Sequence, residues 1–203
     1  MKNDTIIIQI AKQDLQILKD AEYHLCIAGR MNDTDFTVVW YATEKFAFNN
    51  KITINDEYEV FASNGCSKKV FVDFPGTPAE IGEKCLIDKY GIISQAITGQ
   101  NPNAIVLVNE YGNLHPGLKR TGTGIQGEEF SNPLFLSRNA ILPGEFEYFP
   151  SYQIKIWFAQ NTETGEMIPQ QKMRSALTNY ILVDLEKRNA PVLSFSNGTW
   201  KFI

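Results

Sequence analysis

Residues 152–158 read Tyr152-Gln153-Ile154-Lys155-Ile156-Trp157-Phe158. Side chains of an extended chain point alternately to opposite faces, so Tyr152, Ile154, Ile156 and Phe158 share one face and Gln153, Lys155 and Trp157 the other. A helix would scatter the same residues around its axis. The stretch is therefore a strand with one apolar face, and the surrounding chain repeats the pattern.

Upstream, Thr5-Ile6-Ile7-Ile8-Gln9-Ile10 is a β-branched run. Residues 23–28 and 36–41 flank a polar loop containing Gly29 and Asn32, the signature of a hairpin. Further alternation covers 46–54, 58–62 and 69–74, with Asn55-Asp56 and Ser63-Asn64-Gly65 supplying turn chemistry between them. Pro75-Gly76-Thr77-Pro78 is expected to end this block, because neither proline can donate to a ladder. Downstream, 84–87, 92–93, 104–108, 133–136, 146–149, 180–185 and 192–195 continue the series, and Asn197-Gly198 turns into 199–203 as a terminal hairpin. The helix signal is at 12–20, where Leu15 and Leu18 lie a helical spacing apart with no Gly or Pro between them. Residues 112–127 are rich in glycine and poor in apolar side chains, and read as a long exposed loop.

Short strands at about ten-residue intervals predict an all-β chain. The expected form is an antiparallel β-sandwich, jelly-roll or immunoglobulin-like, with one short helix near the N-terminus. A doubly wound α/β fold needs helical patterns between strands, and these are absent. Composition does not shift along the sequence, so residues 1–203 read as one domain. A chain of 203 residues buries roughly 70% of its unfolded surface, enough for a core without disulfides or metals.

Hydrophobic residues make up 43% and charged residues 21% of the chain, which excludes the disordered class. The net charge of −4 argues against nucleic acid as a partner, because phosphate binding needs a clustered excess of Lys and Arg. Lys68-Lys69 and Lys119-Arg120 are only isolated pairs. The apolar run 6–8 is too short for a signal peptide, and no stretch approaches the ~18 apolar residues of a membrane span. A cytoplasmic location is expected, with release from the cell by another route as the alternative. Cys26, Cys66 and Cys85 are an odd set without close spacing, hence three free thiols in a reducing compartment. A Cys66–Cys85 bridge is the alternative.

Residues 122–127 spell Gly-Thr-Gly-Ile-Gln-Gly, but a dinucleotide fingerprint needs a strand before it and a helix opening at its third glycine. Glu128, Glu129 and Pro133 follow instead, so the motif reads as a glycine connection. The histidines are His24 and His115, too few for a three-His zinc site. His115 lies in the predicted loop, with no Gly-x-Ser-x-Gly nucleophile motif in the chain. Asn32-Asp33-Thr34-Asp35 lacks the spacing of an EF-hand. No metal and no cofactor are expected.

Trp40, Tyr41, Phe46, Phe48, Tyr148, Phe149, Tyr152, Trp157, Phe158 and Trp200 lie in or beside predicted strands. Outward rings stack on sugars or enter a lipid interface. Trp157, opposite the apolar face of its strand, is the leading case, with burial in a central strand as its alternative. Together with Tyr111, His115 and Arg120 it forms the candidate ligand-binding set. The expectation is a non-enzymatic binding or assembly protein, engaging a glycan, a lipid surface or a protein through exposed aromatics and the glycine-rich loop. One alternative is a hydrolase of unfamiliar type using His115 and loop carboxylates. Another is a homo-oligomer assembled through an edge strand, for which 152–158 is the candidate. Lectins, small β-sandwich cytolysins and structural modules share this general look, and fold-level likeness does not settle function.

Overall fold

A computed structural model describes residues 3–32, 36–169, 179–188 and 190–203. In β1 (Asn3–Ile10), buried Ile6, Ile8 and Ile10 alternate with half-buried neighbours. The short helix α1 (Lys12–Asp20) matches the predicted span and seats Leu18 in the core. At nine residues it depends on that packing, since isolated helices of this length are marginal in water. The hairpin of β2 (Tyr23–Met31) and β3 (Tyr41–Thr43) pairs later than predicted. Its second arm runs irregularly over 36–40, where backbone bonds go to residues 166–168 as well as to β2: Val39 N–H to Glu166 O, Ile168 N–H to Thr37 O, Trp40 N–H to Ile27 O.

β4 (Asn49–Ser63) is 15 residues long and passes straight through Asn55-Asp56, the predicted turn. β5 (Phe74–Ala79) corrects a second expectation, because Pro75 and Pro78 lie inside it. It pairs only with β4, so both prolines sit on an edge strand, where a missing N–H removes no central ladder bond. The chain continues through β6 (Glu83–Ile87), β7 (Ile97–Thr98) and β8 (Ile105–Asn109). Ile92-Ile93 contributes a single bridge, Ile87 with Ile93, rather than a strand. β9 (His115–Thr123) overturns the long-loop reading of 112–127. It lies between β4 and β10 (Glu129–Leu136).

β11 (Gly144–Tyr148), β12 (Pro150–Gln160) and β13 (Tyr180–Asp184) follow. β14 (Val192–Ser196) and β15 (Thr199–Phe202) close the described chain as the predicted hairpin. Asn197 and Gly198 have φ of 50° and 67°. Both values are the positive ones a tight right-twisting turn demands.

Among the described residues the strands form three sheets. Seven strands run β10-β9-β4-β1-β14-β15 with β5 against β4; four run β11-β8-β6-β7; four run β13-β12-β2-β3. Pairing is antiparallel except for β1 with β14 and β6 with β8, so the expected purely antiparallel pattern is broken twice. Parallel neighbours require a crossover, and the residues between β6 and β8, and between β1 and β14, provide them. One apolar core draws on all three sheets, with Ile6 and Ile8, Leu107 and Cys85, and Ile27 and Ile154 among its members. A smaller cluster of Cys26, Ala28, Val39, Trp157 and Ile168 covers the other face of β2 and β12. Lys155, buried on that face, holds its Nζ 4.1 Å from the Tyr180 ring centroid, a cation–π contact that offsets lost hydration. All three cysteines are free. Among the described residues no helix is long and apolar enough to cross a membrane.

Candidate functional site

The four residues singled out from the sequence fall in three places. Trp157 is only 3% exposed and packs with Val39 and Ile168. Arg120 is 1% exposed in the middle of β9. Its Nε donates to Asn55 O at 2.8 Å and its Nη2 to Asp56 Oδ1 at 2.5 Å, where β4 slips register against β9 between Ile54 and Tyr58. Tyr111 lies in the connection from β8 into β9, and His115 is the first residue of β9. Most of the aromatics in or beside the predicted strands are core: Trp40, Tyr41, Phe46, Tyr148 and Trp200 are buried, whereas Phe48 and Phe149 are exposed. The strand holding 152–158 offers no free edge, because β12 pairs with β13 on one side and β2 on the other.

Around Tyr111, four connections meet. The Tyr111 ring packs edge-on against Phe74, centroids 4.7 Å apart. Gly91 sits against both rings; a Cβ there would come within 2.7 Å of Phe74. Asn109 Nδ2 donates to Gly112 O and, at 3.1 Å, to Leu142 O, tying the 137–143 connection to the same end. Phe71 and Val72 enter through Asp73, whose N–H donates to Ala62 O. Asp73 Oδ2 accepts the Asn64 N–H at 2.7 Å and lies 2.9 Å from Ser63 Oγ.

This end displays large apolar side chains. Tyr90 is 74%, Ile92 65% and Leu142 72% exposed, Tyr111 is exposed as well, and so are Phe71 and Val72 just before Phe74. Their placement is built in. Asp88 Oδ1 accepts the N–H groups of both Tyr90 and Ile92 at 2.9 Å, and Gly91 between them adopts φ of 83°. An aspartate bonding to following backbone donors is a turn in its own right. Lys89 Nζ lies 5.0 Å from the Tyr90 ring centroid. Sequence reading singled out Tyr111 but missed Tyr90, Ile92 and Leu142, although each lies within turn chemistry: Asp88 and Gly91 around Tyr90 and Ile92, Pro143-Gly144 after Leu142.

His115 Nδ1 is 2.9 Å from Ser137 O. A carbonyl only accepts, so in the neutral ring Nδ1 carries the proton and Nε2 is the acceptor. Ser63 stands opposite His115 in the ladder, but its Oγ turns to Asp73 Oδ2 and Gly65 O. Among the described residues no three His, Cys, Asp or Glu side chains gather as metal ligands. Comparison with protein-family models, with curated proteins and with solved structures finds no match.

Proposed function

We propose that this is a non-enzymatic binding protein that attaches reversibly to a lipid surface by the end carrying Tyr90, Ile92, Tyr111 and Leu142. The observation that carries the reading is the Asp88 turn, which fixes Tyr90 and Ile92 outward in water. Contiguous exposed apolar side chains mark contact surfaces. A bilayer accepts projecting tips without a matching cavity. Leucine and isoleucine gain from hydrocarbon in a way that a sugar face does not offer, and tyrosine keeps its hydroxyl at headgroup level. Each such side chain contributes about 1.5–3 kcal/mol on burial, so a few together give weak, reversible attachment. In this reading residues 1–203 form one β-sandwich domain whose sheets hold the contact loops at one end.

Sedimentation with phosphatidylcholine vesicles, with and without phosphatidylserine, tests it. The expected result is that the wild-type chain pellets with vesicles and Tyr90→Ser/Ile92→Ser loses at least tenfold in affinity. Wild-type protein left in the supernatant with both vesicle types overturns the reading. Retention on a glycan array by that protein moves the same surface to sugar binding.

A further inference from the structure

At the C-terminal end of β12 a groove of about 560 Å³ opens beside Trp157. That volume falls in the range of sites for small organic ligands. Val39, Trp157 and Met167 give it an apolar lining, and Tyr23 contributes at one end. Glu166 and Lys68 also line it. Their placement is set by backbone pairing: Lys69 bridges Glu166, and the Met167 N–H donates to Lys68 O.

The two charges are unequally placed. The Glu166 side chain is 14% exposed, whereas that of Lys68 is 84% exposed. Glu166 Oε2 accepts the Glu163 N–H at 3.1 Å, and Oε1 meets Lys68 Nζ at 2.9 Å. An ion pair whose cation stands in water is weak, because solvent screens it and the long side chain must be ordered to hold it. The groove thus has a shielded anion beside an apolar lining, and among the described residues the cation paired with that anion's Oε1 is the exposed ammonium of Lys68.

We infer that the groove binds a small amphipathic organic ammonium, whose apolar body lies against Trp157 and Met167 and whose charged nitrogen replaces that of Lys68 on Glu166. An ammonium keeps the part-buried carboxylate neutralised, and so avoids leaving a charge unpaired away from water. A ligand carboxylate would face Glu166 with like charge, and a neutral ligand would leave the lysine in place. No covalent step is involved.

Phenethylamine is a suitable probe, with 3-phenylpropionate and 2-phenylethanol as controls, read by calorimetry and by tryptophan emission excited at wavelengths the probe does not absorb. Saturable binding of phenethylamine is expected. Lys68→Ala, a change at an exposed position, should bind it three- to tenfold more tightly because the competing ammonium is gone. Glu166→Gln should bind it at least tenfold more weakly, and 3-phenylpropionate should not compete. Absence of saturable binding to Lys68→Ala, equal binding to Glu166→Gln, or equal binding of the carboxylate probe each overturns the inference.

Discussion

Arg120 is sealed inside the main sheet, and its Nε and Nη2 bonds go to the register slip in β4, at Asn55 and Asp56. The same carboxylate accepts from the Tyr152 hydroxyl at 3.1 Å, and Tyr58 lies beside it. Burial first, and the Asp56 charge after it, raise both phenols above their usual value. A buried pair loses much of its attraction to desolvation, but deleting one partner strands the other charge. Arg120→Met is therefore expected to cost about 3–5 kcal/mol in urea unfolding, and pairing it with Asp56→Leu should cost less than the sum of the single changes. The thiols give a second expectation. Burial pushes Cys26 and Cys85 up to about 12 from 9.0. From about pH 9 to about 12, unfolded thiols release protons that the folded chain retains, so stability falls as pH rises through that window and is unaffected by these groups below it. Melting curves above pH 9 should fall less steeply for Cys26→Ala/Cys85→Ala than for the wild type, and parallel slopes would refute the assignment.

At the scale of elements, β9 shows why glycine density misleads. Gly117 and Gly122 are strand residues pressed against rings. A Cβ on Gly117 would overlap the Phe61 ring, and one on Gly122 would come within 2.8 Å of both the Trp40 ring and Thr53 O. The glycines give close approach rather than mobility. Gly117→Ala should destabilise the protein by about 1–3 kcal/mol through overpacking, with part of the loss recovered when Phe61→Leu is added; an additive pair would show that the two sites do not touch. The rings that dictate glycine come from β4 and from residue 40, distant in sequence, so nothing local announced them. The elements read directly, α1 and the Asn197-Gly198 hairpin, depend on neighbours within a few positions. β4 is the reverse case: Asn55-Asp56 has turn chemistry, but Arg120 takes up its oxygens and the strand continues as a bulge.

For the whole molecule, the sheets gather connections from four parts of the chain into one apolar end, while Trp157 and Arg120 are drawn inside. If the end serves a partner, its residues add little to the fold. Tyr90→Ser/Ile92→Ser is accordingly expected to shift unfolding free energy by no more than about 0.5 kcal/mol while weakening vesicle binding at least tenfold. A larger loss of stability would mean that these side chains pack within the monomer. Alternation every second residue, the helical spacing of Leu15 and Leu18 and the Asn-Gly turn determined the kinds of elements, because backbone geometry acts over a few residues. The sequence equally placed Trp157 opposite Ile154 and Ile156. Only tertiary structure decided that Val39 and Ile168 cover that second face, that Arg120 meets Asp56, and that Tyr90, Tyr111 and Leu142 share one end. Burial is a relation between segments far apart in the chain, and it is fixed only when the sheets pack.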